Sequence, residues 1–354
     1  MKEIKPSELK TIIKDVVIEG KLPVMIWGSS GIGKSEIINE TVKKYGMNVL
    51  DLRLNYFEEA DMLGIPMKGE NGMEFVKYSQ FPRSGKGVWF LDELTHAKTS
   101  IQGLAFQLIN DKAIESYQVP EGWQYFIAAS NRISDKTISN PMPSGLANRF
   151  IGGHYLLKPD SDEWKIWASS HDISPEIIGF LSYMEDGNSK NNKGWLFRQD
   201  SGEAFLSPRI WAKGVNYAMK KYARGESARD IIIQGMIGVE NGIEFLSYLR
   251  NLKDMPNIQE ILAGDYSWFK KDREASSNWL FISGLSGAII KNPAVFDKGV
   301  EALMNLSEEY ITYFIKVMME SDRDKFRPLL IKNKTLQKNV DRYTELLSDF
   351  GGSK

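Results

Sequence analysis

The chain has 354 residues, with 45 Lys plus Arg, 46 Asp plus Glu and no cysteine. The net charge of −1 provides no bulk attraction to nucleic acid or to an anionic membrane, and a chain without cysteine has neither disulfides nor thiolate metal sites. No stretch approaches the roughly 18 consecutive apolar residues of a membrane span, and we see no signal-peptide core. We therefore expect a cytoplasmic protein of two or three domains.

The first motif is a glycine-rich loop at residues 28–35, which match the pattern G-x-x-x-x-G-K-[ST]. Its glycines allow backbone N–H groups to surround a phosphate, Lys34 can reach the outer phosphates, and the Ser35 hydroxyl can bind Mg²⁺. Residues 22–27 predict a buried strand before the loop, and residues 35–45 predict a helix after it. The predicted nucleotide-binding residues are Gly28, Ser29, Ser30, Gly31, Ile32, Gly33, Lys34 and Ser35.

An acidic pair follows a second apolar strand. Residues 88–91 (VWFL) run directly into Asp92 and Glu93, which places two carboxylates at the edge where open α/β sheets bind ligands. Asp92 would hold Mg²⁺ through its water shell, and Glu93 would polarise the attacking water. An isolated Asp-Glu pair can also be a solvated strand end, but its position on a separate strand after the loop favours the catalytic interpretation.

Further strands complete the first domain. Residues 48–54, 122–129 and 154–157 also read as strands, so that five strands alternate with helical stretches. Asn131 follows the fourth strand, where its amide could bond the attacking water or the γ-phosphate, or could simply occupy a turn. The pattern predicts an α/β domain with a parallel sheet flanked by helices over residues 1–158.

Two insertions interrupt the alternation of strands and helices. Residues 65–79 and residues 111–119 each predict a β-hairpin. Neither hairpin is needed to hold a nucleotide, so they are either surface decoration or loops that contact a partner or line a pore.

After residue 160 the pattern changes to amphipathic helices. The predicted helices cover residues 161–171, 174–184, 208–222, 237–250, 301–319 and 336–350. A Gly/Asn/Lys/Ser-rich segment at 187–203 predicts a loop between the second and third of them. Aromatic residues on these helices favour core packing over base stacking; they include Trp164, Trp167, Trp195 and Trp211.

Several short motifs recur in a fixed order with the two nucleotide motifs, and together they resemble AAA+ ATPases of the MoxR-like, dynein-related branch. The similarity covers roughly residues 15–265, and more narrowly the chain is similar to compact MoxR-like proteins of phages and bacteria. The motifs are Ala60–Pro66, Gly87–Leu94, Ser130–Arg132, Leu146–Phe150, Glu163–Trp164, Pro175–Ile178 and Ser207–Arg209.

This resemblance implies roles for further residues. Asn131 falls where the family keeps sensor 1, Arg149 where its arginine finger reaches the neighbouring subunit, and Arg209 where the lid carries sensor 2. Asn55 is a weaker candidate for the polar residue that restrains Glu93. Without the resemblance, the alternative role for Arg149 is an ion pair that fixes the loop before the fifth strand. The catalytic set is therefore Glu93, Asn131, Arg149 and Arg209, and the Mg²⁺ ligands are Ser35 and Asp92.

The resemblance also implies an assembly and a function. We expect an AAA+ core over residues 1–158, an all-α lid over 159–265 and a C-terminal helical extension over 266–354. ATP with Mg²⁺ would be the nucleotide, and an arginine supplied by a neighbour requires a homo-oligomeric ring, most often a hexamer. The ring would remodel a protein client in the manner of a chaperone, with a von Willebrand factor A-like domain protein as the expected partner.

Two other functions remain open from the sequence. A nucleic-acid motor or helicase-type ring is less favoured, because the net charge is near zero and no recognition motif is present, although several lysines and arginines lie near the hairpins. A nucleotide-gated scaffold that hardly hydrolyses ATP is the least favoured, because every catalytic position is filled.

Overall fold

The computed structural model describes residues 1–69, 72–131, 140–185, 194–198, 204–252, 256–270 and 275–339. Arg132, most of the predicted loop at 187–203 and most of the predicted helix at 336–350 lie outside these residues. The chain divides into two compact units, Met1–Asp160 and Ser161–Lys354. No helix in the described ranges is long and apolar enough to cross a membrane.

The first unit is built on a parallel sheet of six strands. Its order is β1-β10-β2-β9-β6-β3, and every pairing is parallel. In chain order the strands of this unit are β1 (Lys2–Ile4), β2 (Val24–Trp27), β3 (Asn48–Arg53), β4 (Ile65–Gly69), β5 (Gly72–Val76), β6 (Gly87–Asp92), β7 (Ala113–Ile114), β8 (Tyr117–Gln118), β9 (Tyr125–Ser130) and β10 (His154–Leu157). Burial on both faces explains why β2, β6 and β9 read as nearly continuous apolar runs.

Helices connect these strands. They are α1 (Pro6–Ile12), α2 (Lys34–Lys44), α3 (Glu59–Leu63), α4 (Thr99–Asp111) and α5 (Ser144–Ala147). A π-helical stretch, Ile13–Glu19, continues α1, and 3₁₀ turns occur at Leu54–Tyr56, Leu94–His96 and Glu121–Trp123.

Both predicted hairpins are present. Strands β4 and β5 pair antiparallel, and so do β7 and β8. The second unit is helical throughout its described elements. The predicted fold class, a P-loop α/β core with two hairpin insertions followed by helices, is therefore confirmed.

The sixth strand, β1, was not expected from the sequence. It has only three residues, and two of them are exposed charged residues, so it lacks the apolar alternation that indicates a strand. It is held at the sheet edge by backbone pairing with β10 and by an ion pair between Lys158 Nζ and Glu3 Oε1 at 3.5 Å.

The second unit contains the remaining helices. They are α6 (Ser161–Ser170), α7 (Pro175–Glu185), α8 (Asn216–Lys221), α9 (Ser227–Ile237), α10 (Val239–Asn251), α11 (Ile258–Leu262), α12 (Ala275–Lys291), α13 (Phe296–Leu303), α14 (Glu308–Ser321), α15 (Arg323–Lys332) and α16 (Lys334–Asn339). A π-helical stretch at Ile210–Val215 precedes α8, and 3₁₀ turns lie at Ser267–Lys270 and Pro293–Val295.

Two predicted helices are divided differently in the structure. The prediction over 237–250 spans a break at Gly238, whose φ of +86° ends α9 and allows α10 to begin. The prediction over 301–319 spans the residues between α13 and α14, where Ser307 takes an extended N-cap conformation. In both cases the apolar period continues across a short break, so periodicity alone does not reveal it.

The second unit contains two hydrophobic clusters. One is formed mainly by α6 to α10 and includes Phe180, Trp211 and Phe245. The other is formed mainly by α11 to α16 and includes Phe281 and Phe314. Helix α12 packs on α7, and α14 packs on α6, so the last helices are continuous with the preceding ones. The predicted core role of the tryptophans is confirmed for Trp164, Trp195 and Trp211, which are buried, whereas Trp167 is partly exposed.

Candidate nucleotide site

The glycine-rich loop connects the end of β2 to the start of α2. Gly31 and Gly33 have φ angles of +79° and +98°, a conformation that glycine adopts without steric penalty. Gly33 is the N-cap of α2. Because the first backbone N–H groups of a helix have no partner within it, this end of α2 can bind an anion.

Gly28 is required for close packing at the base of the loop. A Cβ at this position would lie 2.6 Å from Ile32 Cδ1 and 3.0 Å from the carbonyl oxygen of Leu157. The Gly28 N–H donates to the Ser130 carbonyl at 3.2 Å. The loop is therefore fixed to the end of β9 at the residue before Asn131.

Lys34 and Asn131 are in direct contact. Lys34 Nζ donates to Asn131 Oδ1 at 3.0 Å, to the Gly28 carbonyl at 2.6 Å and to the Ser29 carbonyl at 3.1 Å. The lysine is 8% exposed and Asn131 is 5% exposed. The amine is thus held inside the curve of the loop, where a phosphate bound there would meet it.

Asp92 ends β6, the strand next to β9. Burial, the Glu93 carboxylate and the Asp51 carboxylate raise the pKa of Asp92 to about 6, although Lys34 and the Glu93 N–H oppose the shift. That N–H donates to Asp92 Oδ1 at 3.0 Å. A buried acid beside other acids has excess negative charge, which a bound cation would neutralise.

Glu93 has left-handed backbone angles, with φ of +56° and ψ of +35°, which is uncommon for a residue with a side chain. This conformation turns the chain from β6 into the 3₁₀ turn Leu94–His96. Glu93 Oε2 lies 2.7 Å from His96 Nδ1. His96 was not predicted as a site residue. Its indication in the sequence is that a histidine stands three residues after Glu93, in a short turn.

The Mg²⁺ ligands proposed from the sequence are an alcohol and a carboxylate. Ser35 lies in the first turn of α2, and Asp92 is a buried carboxylate with a raised pKa. The described residues contain no cluster of three or more His, Cys, Asp or Glu side chains that could hold a metal ion. The pair fits Mg²⁺ bound with a nucleotide, because that ion takes most of its oxygen ligands from phosphates and water.

Arg149 lies just beyond α5. Its guanidinium carbon is 4.9 Å from the centre of the Phe106 ring on α4, and its buried Nε has no hydrogen-bond partner among the described residues. The part of the chain that the structure describes contains no ion pair for Arg149, so the alternative role in an ion pair is not supported.

A histidine connects the P-loop strand to the segment before Arg149. Trp27 Nε1 donates to His154 Nδ1 at 3.3 Å, and His154 Nε2 contacts the Ala147 carbonyl at 2.9 Å. A carbonyl only accepts, so Nε2 carries the proton and Nδ1 is free to accept from the indole. This link was not predicted, because Trp27 lies 127 residues before His154 and no sequence pattern indicates that His154 contacts Ala147.

The remaining proposed residues are placed as follows. Arg209 is an exposed residue of the helical unit, directly before the π-helical stretch Ile210–Val215. Asn55 is exposed in the 3₁₀ turn after β3. The structure therefore brings Lys34 and Asn131 into contact beside the end of β6, which carries Asp92 and Glu93. The roles of Arg209 and Asn55 stay predictions.

Comparison with known proteins gives structural neighbours only. A scan against protein-family models found no match, and a search of curated proteins also found none. A mutant of RuvB from Thermotoga maritima aligns over 88% of this chain and 87% of its own, with 16% identity and a TM-score of 0.39. NtrX from Brucella abortus in complex with ATP aligns over 98% of this chain and 67% of its own, with 12% identity and a TM-score of 0.38. At so low a likeness, we infer the function from the residues of the site.

Proposed function

We propose that this chain is a Mg²⁺-dependent ATPase of the AAA+ class, of the MoxR-like branch, that works as a ring and remodels a protein partner. The main support is the 3.0 Å contact between Lys34 and Asn131, with Asp92 and Glu93 at the end of the neighbouring strand. A phosphate-binding amine, a polar amide and two acids at one sheet edge form the set that phosphoryl transfer to water uses.

Each residue has a defined role in this proposal. Lys34 gives up its hydrogen bonds to the loop carbonyls and donates to the outer phosphate oxygens instead. Asn131 orients the attacking water or the terminal phosphate. Glu93 accepts the proton from that water. Mg²⁺ would be held by Ser35 and Asp92 and would neutralise charge on the phosphates.

The ring is proposed from Arg149. The transferred phosphoryl group develops negative charge, and an arginine that neutralises it is worth roughly 10³ to 10⁵ in rate. The guanidinium carbon of Arg149 lies 4.9 Å from the centre of the Phe106 ring, and Arg149 has no ion pair among the residues that the structure describes. We propose that it serves the site of a neighbouring subunit in a closed, head-to-tail assembly, most simply a hexamer.

A protein client is favoured by the exposed surface of the β4–β5 hairpin. Its two strands expose four large apolar side chains, Ile65, Met67, Met73 and Val76. Methionine and aliphatic side chains suit an adaptable protein contact, whereas a nucleic-acid interface is dominated by positive charge. We propose a protein client, with a von Willebrand factor A-like domain as the first candidate.

The ATPase proposal is tested by steady-state turnover. Glu93→Gln should lower kcat by roughly 10²-fold or more, because it removes the general base, while ATP binding measured by fluorescence is retained. Lys34→Ala should lose both binding and turnover. Glu121→Gln, which changes an exposed acid in the same unit, is the control and should match the wild type. Absence of ATP turnover, or turnover unchanged in Glu93→Gln, would contradict the proposal.

The ring and its client are tested by affinity capture. Glu93→Gln held in ATP should accumulate in the nucleotide-bound assembly, and we expect it to elute as an oligomer with a bound protein. The same variant in ADP is the comparison and should release the client. Recovery of the bare monomer in both nucleotides would rule out the remodelling ring.

A further inference from the structure

Glu93 lies against a histidine that has no role in the proposal above. Glu93 Oε2 is 2.7 Å from His96 Nδ1, and the His96 side chain is 16% exposed. The same carboxylate oxygen is buried and receives no aligned hydrogen bond from the described residues. The imidazole is therefore the close polar neighbour of this oxygen.

The turn that carries His96 is held by bonds on both sides of the histidine. The His96 N–H donates to the Glu93 carbonyl at 2.9 Å, which fixes the spacing of the two side chains. The backbone N–H of Asn140 donates to the Thr95 carbonyl at 2.6 Å, and its side-chain amide donates to the Ala97 carbonyl at 2.9 Å. The imidazole is thus carried by a turn that backbone and side-chain hydrogen bonds hold in place.

The same imidazole nitrogen also lies near the end of β9. Ser130 Oγ lies 3.4 Å from His96 Nδ1 and also accepts from the Thr95 N–H at 3.3 Å. Ser130 is fully buried and precedes Asn131. His96 Nδ1 is therefore close both to the proposed base and to the last residue of the strand that precedes the proposed water-orienting amide.

The charges of the site explain why Glu93 needs such a neighbour. Asp92 and Glu93 are adjacent carboxylates whose repulsion disfavours two negative charges in one place. In catalytic sites the base that activates a nucleophile is typically oriented by a further group.

We infer that His96 is the positioning residue of Glu93: its imidazole, fixed against the end of β9, holds the carboxylate where it can take the proton of the attacking water. The inference rests on the proposed ATPase function. It adds a residue through which the end of β9, and hence Asn131, is connected to the base.

The test compares two substitutions of His96 in the full chain. His96→Leu removes the polar group and should lower kcat about tenfold, a fraction of the 10² to 10⁴ that a positioned base contributes, with KM and the Kd of a fluorescent ATP analogue unchanged. His96→Asn puts an amide nitrogen near the position of Nδ1 and should recover kcat to within about threefold of the wild type. His171→Leu, at an exposed histidine of the helical unit, is the control and should not change kcat.

The outcomes separate this inference from the proposed function. A wild type that does not hydrolyse ATP contradicts the proposed function. A wild type that does so, with His96→Leu giving the same kcat or with His96→Asn no better than His96→Leu, overturns the role of His96. If His96→Leu is unfolded by circular dichroism, His96→Gln replaces it, because its amide extends past the δ position; a wild-type kcat in that variant overturns the inference.

Discussion

At the scale of single residues, the acid at the end of β6 is held in an unfavourable state. Asp92 is 8% exposed, and burial with two neighbouring carboxylates raises its pKa to about 6. The pKa of Asp92 in the unfolded chain is near 3.8. At pH values between 3.8 and about 6, the folded chain therefore binds more protons than the unfolded chain. Its stability therefore falls as the pH rises through this window, and above it the ionised Asp92 destabilises the fold.

Asp92→Asn should therefore stabilise the protein at neutral pH. Removing the buried charge should raise the free energy of unfolding by about 2 to 3 kcal/mol, seen as a thermal midpoint several degrees higher in EDTA without nucleotide. The difference should shrink as the pH falls below about 6 and vanish well below 3.8, where Asp92 is protonated in both states. The same substitution should abolish ATP turnover, as expected where function uses a strained site.

The control for this prediction is Glu121→Gln, which removes an exposed carboxylate and should leave the thermal midpoint unchanged at both pH values. A midpoint for Asp92→Asn that is lower than the wild type at neutral pH would show that the ionised Asp92 stabilises the fold.

Candidate residues that are marked by their local spacing could be proposed from the sequence. The loop glycines and Lys34 lie at intervals set by the shape of a phosphate, and Asp92 follows an apolar strand. His96 and His154 were missed for a different reason. Trp27, which bonds His154, comes from a distant part of the chain. His96 is a single histidine in a short turn and belongs to no periodic pattern that would identify it.

At the scale of elements, strands buried on both faces and hairpins with turn residues were predicted correctly. The edge strand β1 was missed because two of its three residues are exposed and charged. The breaks before α10 and α14 were missed because the apolar spacing continues across them. The register between β2 and β9, which sets Trp27 opposite Ser130, depends on backbone pairing that no single stretch encodes.

Lys77, which directly follows the first hairpin, bonds to the end of α3 and to β7 of the second hairpin. Lys77 Nζ donates to the Leu63 carbonyl at 2.6 Å and to the Ile114 carbonyl at 3.4 Å, and burial lowers the pKa of Lys77. Lys77→Met should leave these carbonyls without a donor and lower the free energy of unfolding by about 1 to 2 kcal/mol. Thermal unfolding followed by circular dichroism measures the change.

Lys68→Met is the matched control, because Lys68 is an exposed residue of the same hairpin. We expect a change within about 0.5 kcal/mol, as for most surface substitutions. If the two variants unfold at the same temperature, Lys77 does not hold the hairpins together.

At the scale of the whole molecule, the chain separates into an α/β unit and a helical unit, each with its own buried clusters. The change in pattern near residue 160 was visible in the sequence. How the last helices are stabilised was not, because the packing of α12 on α7 and of α14 on α6 depends on contacts between apolar faces that any amphipathic helix could offer.

The proposed ring can be tested by mixing two inactive variants. Lys34→Ala chains keep Arg149, and Arg149→Ala chains keep Lys34. If Arg149 acts on a neighbour, about a quarter of the interfaces in a randomly mixed ring contain both intact residues. We therefore expect the equimolar mixture to recover measurable ATP turnover that neither variant shows alone.

The control mixture combines Lys34→Ala with Glu93→Gln. Lys34 and Glu93 belong to the same α/β unit, so every site in this mixture lacks one of them, and no activity should return. Failure of the Arg149→Ala mixture to exceed this control, under conditions where subunits exchange, would mean that Arg149 does not act across an interface.

The contacts of Lys34 also bear on which anions the loop can hold. Its amine already has three oxygen acceptors, two of them carbonyls of the loop itself, so the loop supplies an internal competitor for its own ligand. The free energy gained when an anion binds is therefore only the difference between the bonds that it makes with Lys34 and the carbonyl bonds that it displaces. Weakly coordinating ions such as chloride offer little over a carbonyl, whereas a polyphosphate supplies several oxygens and meets the end of α2 at the same time. A loop that binds nucleotide as proposed would thereby discriminate by the number of oxygens presented, before any contact with a base or a ribose is made.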